Sequence, residues 1–305
     1  MALVACRNVG KSNPTVTVRN QIACYQRSSF NVAGKMHYSS GSASDQRPRG
    51  QTVVTEKIGP VITVGINRPE VRNAMNQETA QRLTEELSAF DQDDTLSVAV
   101  LHGIGGNFCA GYDLKELSQG SASLMLEWHY PRSCSDGKRR CLTLDSVSGY
   151  AVAGGLELAL LADLRVLEES AIMGVFCHRF GVPLIDGGTV RLPQLIGLSR
   201  ALDLILTGRP IGAQEALAFG VANRVVPTGQ ALQRAIELAE QISSFPQLCL
   251  RADRNSAYNA TFDSTSFNQA MQYETDHGLP IIPTESVTQR TSLAVVLVEA
   301  GSFFK

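Results

Sequence analysis

Hydrophobic and polar positions along the chain predict strands and helices in turn, beginning at Val53. Two short runs rich in Val, Ile and Thr flank Gly59-Pro60, which predicts two strands joined by a turn. After Asn76, a residue type that often caps helices, apolar residues repeat at helical spacing: Leu83, Leu87 and Phe90. An apolar run at 97–103 then predicts a buried strand. This order is typical of an α/β fold.

Two glycine-rich turns follow, and each precedes a predicted helix. The segment GGNFCAGYDLK places Gly111 directly before Tyr112, and GYAVAGGLELA places Gly154 at the start of an apolar helix predicted over 156–164. Between the turns, residues 121–147 contain a cluster of Pro, Gly and charge and predict at most a weak strand at their end.

The C-terminal part of the chain is predicted to be mostly helical. Five segments have helical character, at 198–208, 213–220, 229–245, 249–260 and 263–278, and a short strand is predicted to end at Pro227. We therefore divide the chain into a leader at 1–50, an α/β core at 51–197 and a helical region of the same domain at 198–305.

The length and net charge of the chain limit the classes of protein to which it could belong. A chain of 305 residues can bury a full core. The net charge of -2 argues against a nucleic-acid partner, and no apolar run reaches the roughly 18 to 20 residues of a membrane span.

Residues 1–50 hold seven basic residues and one acid, Asp45, with many Ser, Asn and Val. Such a leader is typical of a mitochondrial transit peptide, which predicts a matrix location; a disordered tail is the alternative.

The seven cysteines are scattered, with no CxxC pair and no zinc-type spacing, so we expect no metal site and a reducing compartment. Cys177-His178 is a candidate thiol–imidazole pair. We expect it to lie on a strand, where adjacent side chains point to opposite faces, which disfavours the pair as a nucleophilic couple.

The two glycine turns could form an oxyanion hole. Backbone N–H groups at helix starts have no intrahelical acceptor and attract negative charge. Tyr112 and Gly154 would supply one such N–H each, and one donor is worth about 3 to 4 kcal/mol when it faces a developing oxyanion. Ordinary strand-to-helix turns are the alternative interpretation.

Two carboxylates lie in apolar surroundings near these turns. Glu157 comes three residues after Gly154, and Asp186 lies in PLIDGGT. Burial would raise the pKa of such a carboxyl into a range useful for acid/base catalysis. A glutamate favoured by the helix dipole and a turn aspartate are the simpler alternatives. Lys115 and Arg191 are possible phosphate contacts, although solvated surface charges are more common.

Five segments, in order, resemble the enoyl-CoA hydratase/isomerase (crotonase) family: INRPEVRNAMN, GGNFCAGYDLKEL, SGYAVAGGLELALLADLRV, GVPLIDGGTVRLPQLIG and ALDLILTGRPIGAQEALAFGVANRVVP. They fall within about residues 53–260, with one gap. The resemblance implies a crotonase-like spiral of ββα units with a helical C-terminal region used in assembly as a homotrimer or hexamer. It implies an acyl-CoA thioester substrate and a shared enolate-stabilising step, with coenzyme A as part of the substrate and no other cofactor.

The resemblance also assigns roles to residues. The thioester oxygen would lie between the N–H groups of Tyr112 and Gly154. Coenzyme A would be held by Ala74, by Gly154 and by the run Tyr112, Asp113, Leu114 and Lys115. Glu157 falls on the first of two glutamates that family hydratases use, whereas the second falls on Cys177. Asp186 falls where dienoyl-CoA isomerases of the family carry a catalytic aspartate. Segments 121–147 and 287–305 depart from the family pattern.

These features support two main hypotheses. The first is an acyl-CoA hydratase or isomerase in fatty-acid or related metabolism, with Glu157 and Asp186 as the catalytic pair. The second is a non-catalytic acyl-CoA-binding relative, because Cys177 replaces a glutamate. A thioester hydrolase or decarboxylase of the same fold is a third possibility, since one enolate step serves several reactions.

Overall fold

The computed structural model describes residues 50–118 and 142–286, all of which belong to one unit, Arg49–Lys305. The described residues contain nine strands: β1 (Val53–Ile58), β2 (Val61–Ile66), β3 (Val98–Gly103), β4 (Leu142–Val147), β5 (Tyr150–Val152), β6 (Leu164–Glu168), β7 (Ile172–Gly174), β8 (Ile211–Gly212) and β9 (Arg224–Val226). Apart from Gly50, the predicted leader lies outside the described residues, and so does the segment 287–305.

The strands form two sheets. The larger has six strands in the order β1-β2-β3-β4-β6-β9, and only its first pair is antiparallel. The smaller has the order β5-β7-β8. The predicted hairpin is confirmed, with Ile58 paired to Val61 across a turn in which Gly59 has φ +56°. Every residue of β2 is buried, as expected of a strand covered on both faces.

Nine α-helices lie in the described residues: α1 (Gln77–Gln92), α2 (Leu114–Ser118), α3 (Gly154–Ala159), α4 (Gly188–Ile196), α5 (Leu198–Thr207), α6 (Ala213–Phe219), α7 (Ala231–Ser243), α8 (Gln247–Tyr258) and α9 (Phe267–Gly278). Short 3-10 segments occur at Pro69–Val71, Cys177–Phe180 and Leu279–Ile281, and π-helical turns at Asn259–Asp263 and Ile282–Ser286. None of the helices described is long and apolar enough to cross a membrane.

Helix α1 begins as its sequence predicts. The Asn76 side chain accepts a 3.0 Å hydrogen bond from the backbone N–H of Thr79, a cap worth about 1 kcal/mol. Leu83, Leu87 and Phe90 are buried in the larger hydrophobic core, together with Val64 and Ile66 of β2, which confirms the predicted apolar face.

Helix α7 covers the other face of the main sheet. Its buried small residues Ala235 and Ala239 share a second core with Val100 and Leu144. Strand β9, also from the C-terminal part of the chain, joins the sheet beside β6. These contacts confirm the α/β class with a helical C-terminal region and show that this region completes the core.

Three local predictions need correction. Strand β4 is a fully buried six-residue strand, not a weak one, and its polar residues at Thr143, Asp145 and Ser146 hide the hydrophobic pattern. Helix α3 ends at Ala159, well before the predicted end, since Leu164 already begins β6. Helix α4 is not predicted at all, because the helix contains Pro193 and starts at a glycine.

Candidate active site

The two glycine turns meet in the structure. Short bridges join Met75 to Tyr112 and Cys109 to Ala151, so the turn that holds Gly111 lies along the start of α3. Gly111 has φ +90°, and a Cβ added to it would lie 3.0 Å from the Gly154 nitrogen. Only glycine allows this approach without strain or crowding.

Ala153, the residue before α3, has an unusual backbone conformation with φ 54° and ψ -126°. Its N–H donates a 2.9 Å hydrogen bond to the carbonyl of Gly174, which holds the turn in place. Gly154 is the first residue of the helix, so its N–H has no hydrogen-bond acceptor within the helix. Strained residues of this kind often occur at functional sites.

Tyr112 brings its side chain over the same turn. A Cβ placed on Gly154 would lie 3.3 Å from the Tyr112 ring, and the Tyr112 hydroxyl donates a 2.5 Å hydrogen bond to Oδ2 of Asp186. Burial raises the pKa of the Tyr112 hydroxyl, and its bond to Asp186 raises it further. The structure thus places the two residues of the predicted oxyanion hole side by side, with Asp186 next to them.

Glu157 is the buried carboxylate of the first turn of α3, with 1 % of its surface exposed. Its Oε1 accepts hydrogen bonds from the backbone N–H groups of Asp186, at 3.0 Å, and Gly188, at 2.9 Å. Burial raises the pKa of Glu157 to about 7; the charge of Asp186 acts in the same direction, and the backbone hydrogen bonds oppose the rise. This carboxyl can therefore both hold and release a proton near neutral pH.

Asp186 lies in the loop that leads into α4, and its carboxyl is partly buried. Burial raises the pKa of Asp186, and the hydrogen bond from Tyr112 opposes that shift. Both predicted carboxylates therefore occupy one site beside the two glycine turns.

Cys177 is buried in the 3-10 segment that precedes this loop, so the expectation of a strand here is wrong. Burial raises the pKa of its thiol, and the charge of Glu157 adds to the shift. The neighbouring His178 is exposed. The two side chains have different surroundings, because successive residues of a 3-10 helix project in different directions.

The residues expected to hold coenzyme A differ in exposure. Ala74 is buried, whereas Leu114 and Lys115 are exposed. The Arg68 guanidinium donates to the Ala74 carbonyl and forms a 3.0 Å ion pair with Asp113. Partial burial raises the pKa of Asp113, but the bonds from Arg68 and the Lys115 N–H outweigh it, and the net shift is downward.

Two supporting residues, Arg68 and Asn73, are missing from the sequence prediction. Arg68 and Asn73 both lie in the quoted segment INRPEVRNAMN, the only signal that could have identified them. The Asn73 amide is fully buried and donates to the carbonyls of Ile104, at 3.0 Å, and Asn107, at 2.6 Å. Arg191, predicted as a possible phosphate contact, lies over the rings of Tyr258 and Phe262.

Comparisons with known proteins identify the family of this chain. Residues 56–286 match the family model described as enoyl-CoA hydratase/isomerase. The chain belongs to the enoyl-CoA hydratase/isomerase family. It is 34% identical over 246 residues to enoyl-CoA hydratase EchA19 of Mycobacterium tuberculosis, covering 79% of this chain and 92% of that protein. It is 33% identical over 220 residues to a probable mitochondrial enoyl-CoA hydratase of Dictyostelium discoideum, covering 70% and 77%.

Solved structures confirm the crotonase-like fold. The crystal structure of enoyl-CoA hydratase EchA1 from Mycobacterium marinum superposes with a TM-score of 0.71 at 31% identity, covering 80% of this chain and 95% of that one. Membership of this family makes the protein an enzyme of the hydratase/isomerase type, a family that acts on acyl-CoA substrates. The enzymatic hypothesis is thereby supported over a non-catalytic role.

Proposed function

We propose that the protein is an acyl-CoA hydratase/isomerase that works through an enolate held in an oxyanion hole. The observation that carries the proposal is the buried Glu157 carboxyl, whose pKa is raised to about 7 one helical turn from Gly154. A group of this kind beside the N–H groups of Tyr112 and of Gly154, the first residue of α3, suits proton transfer next to a thioester carbonyl.

The thioester oxygen would accept hydrogen bonds from the N–H groups of Tyr112 and Gly154. Enolate formation places negative charge on this oxygen, so donors that are already in position stabilise the transition state more than the ground state. The close approach of Gly111 to the Gly154 nitrogen supports this arrangement, because it brings the two turns within reach of one oxygen.

Glu157 and Asp186 would share the proton transfers. In an isomerisation, one carboxylate removes a proton from one carbon of the acyl chain, and the other carboxyl returns a proton at another, so no net proton is gained or lost. In a hydration, the same pair would activate water and protonate the α carbon. Cys177 cannot serve as a second carboxylate, and burial keeps its thiol protonated. This favours Asp186 as the partner of Glu157.

The coenzyme A part of the substrate would lie along Ala74, Gly154 and the run from Tyr112 to Lys115. Exposed Lys115 would face a phosphate, while Arg68 would keep the Ala74 carbonyl and Asp113 in place. The chemistry uses protein groups and the thioester, so no metal and no cofactor beyond the coenzyme A of the substrate is proposed.

Assembly as a homotrimer or hexamer is supported by an apolar stripe on α5. Leu198, Leu202 and Leu206 repeat every four residues and are exposed by 63%, 39% and 73%. Exposed apolar stripes commonly mark subunit contacts. Analytical ultracentrifugation of the wild-type chain and of Leu206→Glu tests this proposal: a monomeric wild type would contradict it.

A role in fatty-acid or related metabolism in the mitochondrial matrix is supported by the basic leader at 1–50 and by the Dictyostelium relative, a probable mitochondrial enoyl-CoA hydratase. A reporter protein carrying residues 1–50 should enter mitochondria, whereas a reporter with the arginines and lysines of the leader changed to glutamine should not. Cytosolic retention of the unmodified fusion would contradict this location.

A panel of thioesters tests the activity itself. Purified full-length protein is mixed with enoyl-, dienoyl- and malonyl-CoA substrates, and mass spectrometry with NMR identifies the products. We expect a gain of one water or a moved double bond, and neither should occur with Glu157→Gln. Binding without turnover across the whole panel would favour the non-catalytic alternative, and release of free acid or CO₂ would favour the third.

A further inference from the structure

We infer that the Tyr112 side chain is a positioning residue, which acts through Asp186 and holds that carboxylate in its working orientation beside Glu157. The inference rests on the proposed function, in which Asp186 is one of the two acid/base groups. It concerns the phenol of Tyr112 and is separate from the proposed role of the Tyr112 backbone N–H.

The contacts form one continuous chain. The Tyr112 hydroxyl donates to Asp186 Oδ2, and the Asp186 backbone N–H donates to Glu157 Oε1. Two contacts therefore hold Asp186. Glu157 binds the backbone N–H of Asp186, and Tyr112 binds the carboxylate of Asp186. In the part of the chain that the structure describes, Tyr112 is the only hydrogen-bond donor to the Asp186 carboxylate.

Tyr112 is itself held in place. Its neighbour Asp113 donates a backbone hydrogen bond of 2.8 Å to Met75, and its ring lies close against Gly154. The phenol therefore belongs to the same anchored residue that supplies the proposed oxyanion donor. A rigid connection of this kind sets the position of the Asp186 carboxylate relative to the thioester oxygen, which matters because a misplacement of about 1 Å can cost about 10²-fold in rate.

The electrostatics of the site agree with this role. Burial favours the neutral forms of both Glu157 and Asp186, and a hydrogen bond from a neutral donor favours the ionised form of its acceptor. The bond from Tyr112 lowers the pKa of Asp186 against the effect of burial. Because the pKa of Tyr112 is raised, its hydroxyl stays protonated and remains a donor wherever Asp186 titrates. Asp186 can then be the base while Glu157 holds a proton.

A double-mutant cycle tests the inference in the full-length protein. Tyr112→Phe, Asp186→Asn and the double variant are compared for kcat, KM and the pH profile of kcat/KM, using whichever thioester the wild type turns over. Tyr273→Phe, on α9, is the matched control for loss of a tyrosine hydroxyl. Thermal unfolding of each variant establishes that it is folded.

We expect Tyr112→Phe to lower kcat on the order of tenfold, the loss expected for a hydrogen bond to a charged group, while KM changes by less than about twofold. The acid limb of the pH profile should move to higher pH, since Asp186 loses the donor that favours its ionised form. In the Asp186→Asn background, the same change should cost less than about twofold, because coupled residues are not additive.

A second substitution has the opposite expected sign. Fluorotyrosine at position 112 has the shape of tyrosine and a more acidic hydroxyl, so it is a stronger donor and should move the acid limb to lower pH. It also serves if Tyr112→Phe fails to fold.

Other outcomes would overturn the inference. Equal losses from Tyr112→Phe in the presence and absence of the Asp186 carboxylate would mean that the phenol acts independently of Asp186. An unchanged kcat and pH profile in Tyr112→Phe would mean that the phenol only packs. Unchanged turnover in Asp186→Asn would instead reject the proposed role of Asp186, which distinguishes failure of the proposed function from failure of the inference.

Discussion

The backbone N–H of Asp186 donates a 3.0 Å hydrogen bond to Oε1 of Glu157, two residues that lie 29 positions apart in the sequence. The bond joins the first turn of α3 to the loop before α4. It makes the two carboxyl-bearing residues parts of one site and orients Glu157 by way of the main chain. Substitution of the Asp186 side chain therefore leaves this bond in place, so the two carboxyl groups can be tested separately.

The first prediction concerns Glu157 as an acid/base group. Glu157→Gln should lower kcat by roughly 10² or more, because the amide cannot transfer the proton. The carbonyl oxygen of the new glutamine can still accept hydrogen bonds from the N–H groups of Asp186 and Gly188. The site should therefore keep its shape, and binding of the CoA ester should persist. Steady-state kinetics and isothermal titration calorimetry measure the two effects.

Exposed Glu169 provides the control, since Glu169→Gln makes the same chemical change away from the site. Its kcat should match that of the wild type. Undiminished turnover in Glu157→Gln would rule out Glu157 as the acid/base group.

The second prediction uses the raised pKa of Glu157. Because its pKa moves from 4.5 to about 7, the folded state holds the proton more tightly than the unfolded state does. The free energy of unfolding therefore loses this contribution as pH rises through that interval. The loss is about 3 kcal/mol for this residue. In Glu157→Gln, the free energy of unfolding should therefore fall by about 3 kcal/mol less than in the wild type between pH 4.5 and about 7.

Urea unfolding at a series of pH values measures this difference. Comparing wild type with Glu157→Gln cancels the contributions of the other carboxyls that the two proteins share. Parallel stability curves for the two proteins across that interval would contradict a raised pKa at Glu157.

Part of this site can be predicted from the sequence, because some of its contacts join residues that are close together in the sequence. The spacing from Gly154 to Glu157 is a helical turn, and the Asn76 cap joins residues only three positions apart. The bond between Tyr112 and Asp186 joins residues 74 positions apart, so no local pattern reveals it. The same holds for Arg68, whose partner Asp113 lies 45 positions away.

The fold shows the same division between local and long-range information. The hairpin β1–β2 is predicted because its turn and alternation are local. Strand β4 is not, because only its place between β3 and β6 makes a strand with Thr143, Asp145 and Ser146 stable. Tertiary burial there overrides the sequence pattern.

The third prediction separates backbone strain from crowding at the oxyanion turn. Gly106 and Gly111 have similar φ values, +84° and +90°, but a Cβ at Gly106 meets nothing within 4 Å, whereas at Gly111 it meets the Gly154 nitrogen at 3.0 Å. Both alanine variants should lose stability, by about 1 to 2 kcal/mol for the left-handed conformation. Only Gly111→Ala should also lose turnover, because it displaces a proposed oxyanion donor.

Thermal unfolding and steady-state kinetics of the two variants give the comparison. Equal turnover in Gly106→Ala and Gly111→Ala, both folded, would show that the approach of the two turns is not needed for activity.

The fourth prediction concerns Asp145, which is fully buried in β4 directly opposite Arg165 of β6. The Arg165 guanidinium donates to backbone carbonyls, among them those of Val221 and Ala162, and neither oxygen of Asp145 has a hydrogen-bond partner among the described residues. Burial raises the pKa of Asp145 well above its usual value, against the opposing charge of Arg165. The folded state therefore favours the protonated carboxyl.

Asp145→Asn should accordingly stabilise the protein at neutral pH, because the amide is neutral without having to bind a proton. The gain should shrink as pH falls towards the ordinary pKa of an aspartate, where both folded and unfolded wild type bind the proton. Urea unfolding at neutral and acidic pH measures the two values.

Asp163→Asn is the matched control and should have the opposite sign. The Asp163 carboxylate accepts hydrogen bonds from Arg254 Nε, at 2.7 Å, and from the Tyr258 hydroxyl, at 3.0 Å. Removing its charge takes this ionic contact away from the Arg254 side chain, which is 9% exposed, and breaking a buried ion pair costs about 3 to 5 kcal/mol. Two identical substitutions in neighbouring acids should thus move stability in opposite directions, and destabilisation by both at neutral pH would mean that Asp145 is ionised and paired in the folded protein.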